Sequence, residues 1–332
     1  MPDHSFQHLS HSRPILVFGR DGQVGKVLQV GLQSVRQPVI FLGRSDCDLS
    51  NQNELVKVLH KYRPQCIINA AAYTSVDVAE SESELAFAIN AKAPHVMAQY
   101  IVHVPDGVLI HYSTDYVFGD TQQRSYLETD PAGPVDQLSI YGQSKLAGEE
   151  LIQKAFLLQQ HSSQEVDLNS LSRYFILRTS WVYGDGDNFI RTILQRAMKL
   201  EVLQVVADQF GVPTSAAWLA ELAEILCLSK AESGIYHAVP DGEISWHELT
   251  LFLINEASLM GWPIKVSVKN VSSMQTKDAL LKARRPYNSR MNNAKLKQLL
   301  SILAPSKTCP AWQDQVKSYI AAYTPTTIAA ND

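Results

Sequence analysis

One stretch near the start of the chain leaves few folds open to it. Pro14-Ile-Leu-Val-Phe18 is an apolar run of strand length, and Gly19-Arg-Asp-Gly22-Gln-Val-Gly25 follows at once. Val24, Val27, Leu28 and Leu32 then recur at helical spacing. A strand, a glycine turn and a helix in that order are the context a dinucleotide fingerprint needs. In that reading Gly19 permits the tight turn, Gly22 lets a diphosphate approach the backbone, and Gly25 lets the helix sit close on the strand. The helix N-terminus then offers free N–H groups and a positive dipole end. The spacing is G-x-x-G-x-x-G rather than G-x-G-x-x-G, so the flanking pattern carries more of the argument than the glycines do.

The pattern continues down the chain. Pro38-Val-Ile-Phe-Leu42 reads as a second strand, ending in Gly43-Arg44-Ser45. An acid at this strand end suits the ribose 2′-hydroxyl of NADH, and an arginine suits a 2′-phosphate. Arg44 therefore points to NADPH, with Asp46 nearby keeping NADH open. Ser50 or Asn51 is placed to cap a helix carrying Leu55, Val58 and Leu59. Cys66-Ile-Ile-Asn69 runs into Ala70-Ala-Ala-Tyr73-Thr74, and Val108-Leu-Ile-His-Tyr112 delivers Ser113-Thr114-Asp115. Small residues and hydroxyls at successive strand ends leave room for a flat ring where open α/β sheets bind ligands. Tyr174-Phe-Ile-Leu-Arg178 restores a strand. Strands alternating with helices predict a Rossmann-type doubly wound parallel sheet. After residue 182 the rhythm changes, which predicts a smaller mixed α/β substrate-binding lobe. The boundaries drawn this way are residues 14–182, with about 203–230, for the NAD(P)-binding Rossmann domain, and 183–202 with 231–325 for the lobe.

Tyr141-Gly-Gln-Ser-Lys145 puts a phenol and an ammonium four residues apart, one turn along a single helix face. An adjacent ammonium favours the phenolate, so Lys145 is expected to lower the pKa of Tyr141 from its free value near ~10. A tyrosine tuned in that way can exchange a proton with a carbonyl or alcohol oxygen near neutral pH. Thr114 would supply a hydroxyl to orient the same oxygen.

The chain has 332 residues, 45% hydrophobic and 19% charged, with a formal net charge of -4. That describes a soluble protein with a sizeable core and gives no electrostatic reason to expect nucleic acid or an anionic membrane as partner. No apolar run reaches the ~18 residues a membrane span requires. Residues 1–13 are polar, lack an apolar signal core and read as a disordered leader. Residues 159–172 lose periodicity and read as a surface insertion. Cys47, Cys66, Cys227 and Cys309 are widely spaced, which fits reduced thiols in the cytoplasm rather than a disulfide framework or a zinc site.

Taken together these runs resemble the extended short-chain dehydrogenase/reductases over about residues 14 to 325. Within them, Trp181-Val-Tyr-Gly184, Gly211-Val-Pro-Thr214 and Arg285-Pro286 with Ser289 narrow the likeness to the dTDP-4-dehydrorhamnose reductase branch. The resemblance implies reduction of the 4-keto group of dTDP-4-dehydro-L-rhamnose to dTDP-L-rhamnose. Tyr141 would be the proton donor, Lys145 its partner and a ligand of the nicotinamide ribose, and Thr114 the orienting hydroxyl. Gly22, Gln23 and Val24 would line the diphosphate, Asp48 and Leu49 the adenine, and Ala71, Ala72 and Tyr73 the nicotinamide. Thr114, Asp115, Trp181, Asn188 and Arg285 would meet the nucleotide sugar. Some bacterial members hold magnesium at a dimer contact through acids. The matching positions here are Val27 and Ala217, so no such metal is expected, although a homodimer remains in keeping with the superfamily. Two other readings fit the same fold. One is a nucleotide-sugar epimerase or dehydratase, which would recycle its cofactor. The other is a non-catalytic subunit like the regulatory subunit of methionine adenosyltransferase, against which the retained Thr114, Tyr141 and Lys145 argue.

Overall fold

The computed structural model describes residues 13–162 and 171–325, with the backbone alone for 159–162. The strands in chain order are β1 (Ile15–Phe18), β2 (Val39–Leu42), β3 (Cys66–Asn69), β4 (Val108–Thr114), β5 (Arg173–Thr179), β6 (Val182–Tyr183), β7 (Leu203–Val206), β8 (Phe210–Gly211), β9 (Thr214–Ser215), β10 (Gly234–His237), β11 (Ile244–Ser245) and β12 (Val271–Met274). Six of them form one sheet in the order β10-β5-β4-β3-β1-β2. Every pairing in it is parallel. The chain steps from β1 outward to β2 and then returns to place β3 on the other side of β1. Between β1 and β3, therefore, the winding reverses, and crevices at such a reversal are where these sheets take ligands.

Alternation along each strand builds two cores at once. Ile15, Val17, Ile68, Ile110, Phe175 and Leu177 pack on one face, against the helices Gln23–Gly31, Ala216–Cys227 and Ala294–Leu303. Leu16, Phe18, Ile67, Leu109 and Ile176 pack on the other, against Gln52–Tyr62, Ala93–Ile101 and Ile140–Ser162. Because neighbouring residues serve opposite faces, the strands are apolar throughout, as a doubly covered sheet requires. Asn51 caps the helix Gln52–Tyr62 by accepting from the Glu54 N–H.

The smaller lobe has its own core, in which Ile190, Leu194, Val205, Leu249, Leu253, Trp312 and Val316 meet. It is bordered by short ladders: β6 with β9, β7 with β12, and β8 with β11. Three segments fall on the other side of the boundary drawn from the sequence. Gly234–His237 is the sixth strand of the main sheet, paired to β5, and Leu296 and Leu300 belong to the core beneath it. Conversely, Leu203–Val206 pairs with β12 and packs in the lobe. Four-residue apolar runs carry no record of which sheet will take them, and here pairing partners far along the chain decide. The helix that bears Tyr141 continues to Ser162, past residue 159 where the insertion was expected to begin. Residues 1–12 and 163–170, to which the leader and most of the insertion were assigned, lie outside the described residues. Among the described residues no helix is long and apolar enough to cross a membrane.

Candidate active site

The carboxyl ends of β1, β2, β3 and β4 open on one cleft of about 470 Å³. Its floor is the glycine turn. Gly19 sits at φ +89°, and a Cβ there would meet the Ala70 and Ala71 backbone at 2.6–2.7 Å. The turn thus lies directly on the neighbouring strand end, at a backbone angle that L side chains resist. The helix that follows has no side-chain cap at Gly22 and no acid in its first turn, so its N–H groups face the cleft unopposed. Gly25 does not line the cleft. It closes the contact between helix and turn, since a Cβ would stand 1.9 Å from the Gly19 carbonyl oxygen.

Of the residues expected to hold a dinucleotide, Gly19, Gly22, Gln23, Val24, Arg44, Asp48, Leu49, Ala71, Ala72, Tyr141 and Lys145 all line this cleft. Arg44 stands exposed at its rim. Asp46 is engaged elsewhere: it pairs with Arg20 at 2.7 Å and accepts from the Gly43 N–H at 2.8 Å. Asp48 is held below the usual carboxylate range by the N–H and hydroxyl of Ser50. Tyr73 is not among the lining residues. Its side chain turns out of the cleft to donate to Glu82 at 2.7 Å, while Asn90 clamps its peptide N–H and carbonyl. Asn90 lies in the wide π-turn Ala88–Lys92 and also donates to Ser144, which ties the end of β3 to the tyrosine helix. Sequence periodicity gave no sign of that clamp.

Tyr141 and Lys145 project from the first two turns of their helix into the cleft wall. The lysine is not among the influences that set the phenol's proton affinity. Loss of solvent around the phenol dominates and pushes Tyr141 up to about 12, against a hydrogen bond with Thr114 that pulls the other way. Lys145 loses hydration in turn, and its pKa falls to about 8. It donates to the Tyr112 carbonyl at 2.6 Å and lies 3.1 Å from His111 Nε2. Withdrawal from solvent is the largest influence on both groups. A phenol held in this way stays protonated throughout the neutral range, which suits an acid.

Thr114 ends β4, donates to Asp115 at 3.0 Å and accepts from the Tyr116 N–H. Asp115 is buried, is raised to about 6 by desolvation, and receives the hydroxyl of Ser289 from the smaller lobe. The other residues expected at the sugar lie further out. Trp181 adopts φ +48° and stacks on Trp246, ring centroids 3.4 Å apart and 15° from parallel. Asn188 caps the helix Phe189–Lys199 and donates to Gly184, Gly186 and Gln23. Arg285 is tied to Asp77 at 2.7 Å. None of these three lines the cleft itself.

The residues present fit a reduced dinucleotide. Two buried hydroxyls, Ser113 Oγ and Thr179 Oγ1, line the cleft and find no hydrogen-bond partner among the described residues. Buried polar groups are rarely left so without a ligand to complete them. The sequence carried Ser113 beside Thr114 but offered nothing to distinguish Thr179 from a core threonine.

A family model described as the RmlD substrate binding domain matches residues 13–324. A dTDP-4-dehydrorhamnose reductase of Escherichia coli K12 is 38% identical over 311 residues, 91% of this chain and 95% of that protein. The chain belongs to the dTDP-4-dehydrorhamnose reductase family. A crystal structure of the reductase from Bacillus anthracis, in complex with NADP, superposes with a TM-score of 0.79 at 30% identity, covering 94% of this chain and all of that one. A UDP-glucose 4-epimerase from Thermus thermophilus, complexed with NAD, shares the fold at 17% identity with a TM-score of 0.70.

Proposed function

We propose that this protein reduces the 4-keto group of dTDP-4-dehydro-L-rhamnose, using NADPH, to give dTDP-L-rhamnose. The observation that carries the reading is a single cleft whose floor is the glycine turn and whose wall presents Tyr141 and Lys145. Gly22, Gln23 and Val24 hold the diphosphate, Asp48 and Leu49 the adenosine end, and Arg44 a 2′-phosphate. Ser113 and Thr179 are placed for the polar edge of the nicotinamide. When bound, the reduced nicotinamide supplies hydride to the substrate carbon.

The chain's own work is orientation and proton supply. Thr114 and Tyr141 converge on the keto oxygen, and Tyr141 gives it a proton. General acid help of this kind is worth ~10²–10⁴-fold, and near-attack positioning contributes up to ~7–11 kcal/mol more. Lys145 binds the ribose, and its positive charge stabilises the phenolate left behind. The Trp181–Trp246 stack and Arg285 flank the sugar nucleotide. The reading places the protein in the cytoplasm, in keeping with its four free buried thiols, and takes it as a homodimer, which light scattering would check. The deciding assay offers dTDP-4-keto-6-deoxy sugar with NADPH and NADH in parallel. Stoichiometric loss of cofactor absorbance, faster with NADPH, is expected. Turnover without net oxidation would point to an epimerase, and no turnover with any keto-sugar nucleotide would end the reading.

A further inference from the structure

Behind Lys145 runs a chain of buried polar groups in the middle of an apolar sheet. Asn69 closes β3, and His111 lies opposite it on β4. Asn69, His111 and Lys145 are each at most 1% exposed. Asn69 Oδ1 accepts from the Ala71 N–H at 3.2 Å, and its Nδ2 lies 3.0 Å from His111 Nδ1. His111 Nε2 in turn lies 3.1 Å from Lys145 Nζ.

Donor and acceptor capacity fixes the protons along this chain. A backbone N–H can only donate, so Ala71 holds the Asn69 oxygen on its own side and leaves the amide NH₂ facing the histidine. That NH₂ can also only donate, so His111 Nδ1 accepts. A neutral imidazole then carries its single proton on Nε2, aimed at Lys145. His111 is kept neutral by burial and by the adjacent lysine, both of which hold its pKa well below the usual value. A neutral amine can receive the Nε2–H on its lone pair, whereas an ammonium has none to offer.

We infer that Asn69 and His111 are positioning residues that set the proton affinity of Lys145, the amide by fixing the imidazole tautomer and the imidazole by opposing the ammonium. Other groups on this wall do not supply that opposition. Glu149, on the same helix, favours the ammonium and is itself held by Arg178 of β5 at 2.6 Å. Tyr141 is neutral, and the Tyr112 carbonyl accepts from either form of the lysine. The effect on turnover rests on the role proposed for Lys145 above, but the proton affinity does not.

The test uses the full chain, free of cofactor and labelled with ¹³C at the lysine ε-carbons. The Lys145 signal is assigned by its loss in Lys145→Met. Asn69→Ala releases the imidazole to either tautomer without adding charge, and His111→Gln offers an amide oxygen in place of the N–H. In both variants the Lys145 titration midpoint is expected to rise by about one pH unit. The alkaline limb of kcat/KM should rise with it, while NADPH binding persists. A midpoint that stays at the wild-type value, or falls, in both variants overturns the inference. A raised midpoint with an unmoved alkaline limb upholds the pair and instead removes Lys145 from the chemistry.

Discussion

At the scale of single residues, the two groups that matter most pull against their surroundings. Tyr141 keeps its proton because its phenol has lost water. Tyr141→Phe keeps the ring and removes only the acid. Turnover should fall ~10²–10⁴-fold while NADPH still binds, as steady-state rates and a fluorescence titration would show. Lys145 costs the fold stability at neutral pH. Its folded pKa of about 8 lies below the ordinary 10.5, so the unfolded chain holds more protons between these values. Stability therefore rises with pH across that window, and the full cost, on the order of 3 kcal/mol before the lost hydrogen bonds are counted, is present below it. Lys145→Met should be inactive yet no less stable than wild type at pH 7, with any advantage gone above pH ~10.5. Urea unfolding at the two pH values checks this. That Tyr141 and Lys145 face one cleft was legible from their spacing alone. The direction of their pKa shifts was not, because hydration is a property of the wall they sit in and not of the helix that carries them.

Elements were the most readable level. The glycine turn, the strands of the main sheet up to β5 and the tyrosine helix stand where apolar periodicity and turn residues put them, because local spacing decides which kind of element forms. What escaped was pairing at a distance: Gly234–His237 joining the main sheet, Leu203–Val206 leaving it, and the side chain of Tyr73 drawn away by Glu82. The turn itself separates binding from folding. Gly22 has φ -77°, and a Cβ there meets only the Gly19 oxygen at 3.4 Å. Gly22→Ala should therefore melt close to wild type but weaken NADPH at least ~10-fold by crowding the diphosphate, a loss of about 1.4 kcal/mol. Gly25→Ala should do the reverse of a mild change: its Cβ would sit 1.9 Å from backbone, so the turn or the helix must move. A melting temperature lowered by several degrees, together with lost cofactor binding, is the expected result.

Across the whole molecule, one of the polar ties that fasten the smaller lobe to the sheet runs through Asp77. Asp77 of the helix Val76–Ala79 accepts from the Ala283 N–H at 2.9 Å and from Arg285 at 2.7 Å. Between β12 and that tie, Leu280 is fully exposed and Leu281 partly so. Asp77→Ala should leave the cores intact, raise KM for the nucleotide sugar several-fold, and speed tryptic cleavage at Lys282 and Arg284, because segments with few buried contacts open first. An unchanged digestion rate would show the segment to be held by something else. The hydroxyl of Ser289 reaches from this same strap to Asp115, beside Thr114. The first 180 residues thus contain every group proposed for proton transfer but not the last contact that sets them. A fragment ending before the strap could still recognise a pyridine nucleotide, yet it would be a receptor and not a reductase. Loss of the chain from the strap onward, by truncation or frameshift, should then abolish catalysis even where the sheet survives.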